Sequence, residues 1–322
     1  MYSKFIILAI VFLVIELVIL LWRCGEFIWK YWICRELDLS QRYGVGSWAL
    51  ITGASSGQGR EFALELAKRG FNLILIGSHR TSTLVDTLKT QYPNRDIVFI
   101  KKNFAEAYNP SFFADIETSI KDKDVSILVN NVAHRTAWIP YHESPVQTIH
   151  NTIATGTYVQ ARLIHMLIGR MQYRSHKSAI LNITAQCQHT TWGLGHMIDT
   201  AISVPYLSVY EASNAFGYYH SKSIEKEYGG GSIDILNITP GAVLTENTRN
   251  SLSGTPFSIS APDFVRNCLR LLGNWQGTTC AYWGHELSGF LINLAPWFKA
   301  PMLRGVGRSI AEVYMNTPPK TY

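Results

Sequence analysis

Short, unbroken apolar runs that trade places with longer amphipathic stretches constrain the fold of this chain more than any other feature. Trp48–Thr52, Asn72–Gly77, Asp96–Lys101, Val125–Val129, Ser178–Ile183 and Ser232–Ile238 have strand length and little polar alternation. Helical patterns lie between them at Gly59–Arg69, Thr83–Tyr92, Ser111–Lys121, Ser144–Met171 and Leu207–Tyr228. A strand that is apolar on both faces must be covered on both faces, and helices between successive strands supply that cover. The expectation is an α/β fold with a doubly wound parallel sheet, whose ligand sits at the carboxyl ends of the strands. Thr279–Trp283 is a candidate seventh strand.

Both ends of the chain carry membrane character. Phe5 to Trp22 is apolar except for Glu16, with Lys4 before it and Arg23, Lys30 and Arg35 after it. At about 1.5 Å per residue such a helix approaches the hydrocarbon thickness of a bilayer. Leu21-Trp22-Arg23-Cys24-Gly25 offers no small-x-small cleavage signal, so an uncleaved anchor fits better than a removed signal peptide. The basic residues after the run place the main domain on the cytosolic side. Leu287–Phe298 is a second apolar patch, interrupted by Pro296 and followed by Lys299, Arg304 and Arg308. It is too short to span, and both a membrane-interface segment and a packing helix at the domain's end fit it. The expected division is an anchor over 1–30, a nucleotide-binding domain over 45–285 and a membrane-associated extension over 286–322.

The formal net charge of +6 suits an anionic membrane surface or an anionic cofactor. There is no dense Lys/Arg run, so nucleic acid is not an expected partner. Neither the 5 cysteines nor the 10 histidines fall into a C-x-x-C or H-E-x-x-H spacing. Free thiols in a reducing compartment, and no metal, are expected.

Thr52 to Gly59 reads T-G-A-S-S-G-Q-G, directly after the first apolar run and at the start of a helix. Glycines there let a backbone approach a pyrophosphate, and the helix N-terminus supplies positive potential. Further on, Asn130-Asn131-Val132-Ala133 follows the fourth run, Tyr210-Glu211-Ala212-Ser213-Asn214 opens a helix, and Pro240-Gly241-Ala242-Val243-Leu244-Thr245 follows the sixth. Together these resemble the short-chain dehydrogenase/reductase family, whose fold is of the Rossmann type. Lys123–Val132, Ala179–Ile183 and Thr278–His285 further resemble one subgroup of it, the membrane-bound very-long-chain 3-oxoacyl-CoA reductase and 17β-hydroxysteroid dehydrogenase type. The resemblance covers nearly the whole chain and is weakest between Gln186 and Pro205.

It implies a dinucleotide held by Gly53, Ser55, Ser56, Gly57, Gly59, Asn103, Asn130, Tyr210, Pro240, Gly241, Val243 and Thr245. After the second run the chain reads Gly77-Ser78-His79-Arg80, with no acid for a ribose 2′-hydroxyl. Arg80 suits a 2′-phosphate, hence NADP(H); its other reading is a solvated surface residue. Gln58 stands where the family has an aliphatic residue, Asn103 where it often has Asp, and Ala133 where it has Gly.

The family's catalytic residues are Tyr, Lys, Ser and Asn. The resemblance puts the Tyr at Tyr210 and the Asn at Asn151. The Ser position is Ala185, because Asn182-Ile183-Thr184-Ala185 stands for Asn-Ile-Ser-Ser, and the Lys position is Asn214. Tyr218-Tyr219-His220-Ser221-Lys222 also fits Tyr-x-x-x-Lys, but Lys222 leaves too little chain before the sixth run for the helix to cross the sheet. Nor can Lys222 reach Tyr210, since twelve helical residues span about 18 Å. An unassisted tyrosine has a pKa of about 10, so only about one in a thousand is ionised at neutral pH. Asn214 has no charge with which to lower it. Oxidation, which needs tyrosinate, should suffer most; reduction needs only a proton donor.

The Gln186–Pro205 segment is longer than the family's usual loop and carries His189, Trp192, His196 and Asp199. A lid or partner-contact loop is the expectation, ahead of a replacement acid/base. Two functions are therefore open. One is a catalytically impaired nucleotide-binding scaffold with a membrane-protein partner. The other is an NADPH-dependent reductase of 3-oxoacyl-CoA or ketosteroid. The endoplasmic reticulum membrane is the expected location, with a mitochondrial membrane as the other choice.

Overall fold

The computed structural model describes residues 2–78, 80–134, 138–186, 204–246, 248, 255–294 and 296–315. The helices are α1 (Tyr2–Ile28), α2 (Leu39–Tyr43), α3 (Gly57–Lys68), α4 (Thr81–Gln91), α5 (Pro110–Ile120), α6 (Val146–Ile153), α7 (Val159–Gln172), α8 (Ser208–Tyr228), α9 (Ala261–Leu271), α10 (Trp283–Leu294) and α11 (Pro296–Met315). The strands are β1 (Trp48–Thr52), β2 (Asn72–Gly77), β3 (Ile97–Lys101), β4 (Val125–Asn130), β5 (Ser178–Ile183), β6 (Ile233–Ile238), β7 (Val243–Leu244), β8 (Ile259–Ser260) and β9 (Gly277–Thr279). β7 and β8 pair with each other; the other strands form one sheet in the order β3-β2-β1-β4-β5-β6-β9. Every pairing in that sheet is parallel.

The absence of polar alternation has its expected cause. Ala49, Ile51, Leu73, Leu75, Ile127, Val129, Leu181, Leu236 and Ile238 face one core, against Phe62 and Leu66 of α3 and Phe264 and Leu269 of α9. Leu50, Ile74, Ile76, Leu128, Ile180, Ile233 and Ile235 face the other, against Phe112 and Ile116 of α5 and Leu163, Leu167 and Met171 of α7. Each such side chain, fully buried, contributes about 1.5–3 kcal/mol. Asp234 is a buried charge at the amino end of β6, where Arg42 Nε (2.7 Å), the Tyr43 hydroxyl (2.9 Å) and Lys177 Nζ (3.5 Å) meet it. These contacts lie at the sheet's opposite edge from the strand carboxyl ends and tie α2 to the sheet.

Two elements differ from the sequence expectation. The seventh strand is Gly277–Thr279 rather than Thr279–Trp283, because Ala281 takes φ +55° and turns the apolar Cys280–Trp283 stretch into α10. The long helix over 144–171 is two helices joined by a π-helical turn, Ala154–Tyr158. The Leu287–Phe298 patch, for which the sequence left two readings open, runs across α10 and α11.

Among the described residues, one helix is long and apolar enough to cross a membrane, over Lys4–Ile33. Its Phe5, Leu8, Leu13, Leu17, Leu21 and Trp22 are all exposed. The exposed apolar stretch from Phe5 to Trp22 fits a membrane anchor.

Candidate active site

The site is built on the carboxyl ends of β1, β4, β5 and β6. At β1, Gly53 (φ +69°) and Gly57 (φ +56°) hold left-handed backbone that side chains strain. A Cβ on Gly59 would come 2.2 Å from the Gly53 carbonyl oxygen, so only glycine closes this turn. Ser56 is the N-cap of α3 and makes no side-chain capping bond. The first N–H groups of α3 are therefore left uncapped by Ser56, as suits an anion-binding helix end. The Thr52 hydroxyl accepts from the backbone N–H of Asn131 (3.0 Å) and Val132 (3.1 Å), which joins the β1 turn to the turn after β4.

Pro240–Thr245 forms the facing wall. A Cβ on Gly57 would lie 3.1 Å from Thr245 Cγ2, so the two segments meet across the groove. Val243 is buried, and its carbonyl accepts from the Thr248 hydroxyl (2.7 Å). Arg80 is exposed at the N-cap of α4, and the neighbouring Thr81 Oγ1 is buried without a hydrogen-bond partner. The Asn103 amide is engaged locally, accepting from Ala105 N (3.3 Å) and donating to Glu106 Oε1 (2.9 Å). Gln58 leaves its Oε1 buried and unpartnered, which costs about 1–3 kcal/mol unless a ligand supplies a donor. The glycine cradle and uncapped helix end fit a dinucleotide's pyrophosphate, with Arg80 and Thr81 placed where the second strand ends.

The positions expected to be catalytic lie beyond this turn, on α6, past β5 and on α8. Tyr210 is half-buried on the first turn of α8. Asn214, one turn on and 7% exposed, donates from Nδ2 to the Tyr210 carbonyl (2.8 Å), so its amide folds back on its own helix. Ala185 is buried just past β5, where its methyl offers no hydrogen bond; Thr184 beside it donates to the Ile238 carbonyl (3.1 Å). Asn151 is half-buried on α6, its Oδ1 accepting from Gln147 Nε2 (2.8 Å). Lys222 lies over the Tyr218 ring, three turns of α8 beyond Tyr210.

Several contacts were not signalled by motif. Asn130 Nδ2 donates to Asn182 Oδ1 (2.8 Å), and Asn182 Nδ2 to Ser221 Oγ (2.8 Å), a buried polar line under the site. Asn130 Oδ1 and Gln160 Nε2 have no hydrogen-bond partner, and both residues line one small enclosed cavity together with Asn214, Ser213 and Thr155. An acceptor and a donor facing one such space suit a water molecule. His134 follows the Asn130–Ala133 turn, and burial lowers its pKa, which keeps it neutral at pH 7. His189, Trp192, His196 and Asp199 lie outside the described residues.

The sheet order, the glycine turn and the tyrosine on α8 can be compared with known proteins. Residues 47–255 match the family described as short chain dehydrogenase. The chain belongs to that family. Human 17-beta-hydroxysteroid dehydrogenase type 3 is 30% identical over 274 residues, covering 83% of this chain and 81% of that protein. Human very-long-chain 3-oxoacyl-CoA reductase is 26% identical over 284 residues, covering 86% and 85%. Among solved structures, a short-chain dehydrogenase from Sphingobium yanoikuyae in complex with NADPH superposes with a TM-score of 0.60 at 22% identity, covering 72% of this chain and 87% of that one. As a short-chain dehydrogenase, the chain has the family's oxidoreductase fold and relatives named for steroid and acyl-CoA chemistry, together with an N-terminal helix suited to a membrane.

Proposed function

We propose that this chain is a membrane-anchored, NADPH-dependent reductase of a lipophilic carbonyl compound, of the 3-oxoacyl-CoA or ketosteroid class. The observation that carries the reading is the groove between the β1 turn and Pro240–Thr245, which closes to contact at Gly57 and Thr245 around a helix end left open for an anion. Gly53, Ser55, Ser56, Gly57 and Gly59 would hold the pyrophosphate, Arg80 the 2′-phosphate, Asn103 the adenine side, and Asn130, Pro240, Gly241, Val243 and Thr245 the nicotinamide side. NADPH, when bound, supplies the hydride.

The protein's own part is to supply a proton. Tyr210 is the donor, passing its phenolic proton to the carbonyl oxygen as that oxygen gains charge. At neutral pH an unassisted phenol is already in the protonated form that reduction needs, which is why loss of the Lys at Asn214 is tolerable in this direction. Ala185 leaves the carbonyl one hydrogen bond short, so turnover is slow. The names of the two human relatives support the substrate class, and the apolar α1 supports delivery from a membrane, with the catalytic domain on the cytosolic face of the endoplasmic reticulum.

Loss of NADPH absorbance with a long-chain 3-oxoacyl-CoA or a ketosteroid, abolished by Tyr210→Phe, is the expected result. Ala185 and Asn214 favour a second reading, a nucleotide-binding scaffold. Saturable NADPH binding with no turnover of either substrate class would establish that reading instead.

A further inference from the structure

The chain segment that follows the apolar α1 is fastened to the β9 edge of the sheet by a cluster of charged and aromatic groups. Lys30 Nζ contacts both carboxylate oxygens of Glu286, at 3.0 and 2.8 Å, and the Tyr31 hydroxyl donates to the same carboxylate. Lys30 is 5% exposed and sits 4.8 Å from the centre of the Trp275 ring. Arg270 Nη1 donates to the carbonyls of Lys30 (2.6 Å) and Cys34 (3.0 Å), and Asn274 Nδ2 to that of Arg35 (2.7 Å). Stability alone is a poor account of this arrangement, because a buried ion pair does little better than apolar packing of the same size. What it does supply is a fixed position.

The position it fixes is the first turn of α10. Glu286 is the residue after His285, and His285, about 100° round the helix from it, packs against the active-site wall. Its Nε2 lies 3.3 Å from the Ala242 carbonyl, and a Cβ on Gly241 would lie 2.8 Å from its ring. The His285 carbonyl accepts from Gln186 Nε2, and Gln186 N donates to the Pro240 carbonyl (2.9 Å). Gln186 directly follows Ala185. One helical turn therefore holds the anchor on one side and both the Pro240–Ala242 turn and the end of the β5 segment on the other.

We propose that Glu286 is a positioning residue: gripped by Lys30 and Tyr31, it sets His285 against the Pro240–Ala242 turn and Gln186, so the order of the reactive edge depends on docking of the membrane anchor. Its meaning for catalysis rests on the reductase reading; the contact itself does not. Backbone N–H groups in a supported turn exchange slowly with solvent, and loss of the support opens that turn locally while the central strands stay closed.

The test is amide hydrogen exchange on the full-length protein in detergent micelles, comparing wild type with Glu286→Gln, Lys30→Met and Lys30→Arg. Glu286→Gln and Lys30→Met should speed exchange at Gln186 and Ala242–Leu244 by about tenfold or more with β1 and β4 unchanged. Lys30→Arg keeps the charge and should retain protection. Unchanged exchange at Gln186 and Ala242–Leu244, or a loss spread evenly across the sheet, would overturn the proposal. If Glu286→Gln fails to fold, Lys30→Met decides, since it leaves the carboxylate its Tyr31 partner. In parallel, Glu286→Gln should alter the nicotinamide fluorescence of bound NADPH and leave 2′,5′-ADP binding intact. A wild type that bound no NADPH would end the reductase reading, and the exchange result would still decide the lock.

Discussion

The two halves of the sheet differ in how their sequences treat the same groove. Around β1 and β2, every position that must be glycine is glycine, and the helix end opposite is uncapped. Around β5 and α8, the positions expected to carry reactive groups hold inert ones: Ala185 presents a methyl, and Asn214 turns its amide to its own helix. Backbone geometry tolerates no substitute, whereas a lost side-chain charge removes chemistry and leaves the fold standing. The contrast is what a protein that still holds a nucleotide, but no longer drives proton transfer in both directions, would look like.

The sharpest way to break the comparison is Tyr210→Phe. If the catalytic half retains a proton donor, this change lowers NADPH-dependent carbonyl reduction by about a thousandfold, within the range for general acid catalysis, while NADPH binding persists. An unaffected rate would mean that another group donates the proton.

The next effect concerns acid. Burial lowers the pKa of His285 to about 4. The unfolded chain then takes up a proton near pH 6.5 that the folded chain refuses until about pH 4, so this contribution is present above pH 6.5 and falls away as pH drops through the interval. The full loss is about 3 kcal/mol. His285→Gln should flatten the dependence of Tm on pH between 6.5 and 4, and an unchanged slope would assign the sensitivity elsewhere.

Restoring chemistry sharpens the contrast from the other side. Asn214→Lys should raise reduction by about ten- to a hundredfold and oxidation by more, because three units of phenol pKa correspond to about 4 kcal/mol. Steady-state rates in both directions check this. The smallest effect belongs to the intact half: Arg80→Ala should weaken NADPH by about tenfold and NADH little, the scale of one charge-assisted hydrogen bond. Titration with the two cofactors separates them.

Much of this was legible in the sequence because strands buried on both faces leave an unmistakable run of apolar residues. β1, β2 and β4 to β6 fall within a residue or two of where such runs begin and end. The seventh strand was misplaced because Cys280–Trp283 is just as apolar but bends at Ala281, and a backbone torsion leaves no trace in composition. The two-residue β7–β8 pair is too short to carry a period. In the site, positions tied to a motif could be named, while Gln160, Gln186 and His285 could not. Their importance comes from contacts across the fold, such as that of Gln186 with the His285 carbonyl, 99 positions away.

The π-helical turn at Ala154–Tyr158 acts as a phase shifter. One extra residue in a turn offsets everything before it by about 100° relative to everything after it. α7 is keyed to the sheet by Leu163, Leu167 and Met171, so its rotation is fixed by packing. The direction in which Asn151 faces is therefore decided by the spare residue between them. Removing one residue from 154–158 would leave the core face of α7 in place and swing Asn151 about a quarter-turn around the helix axis, retargeting a side chain without altering it.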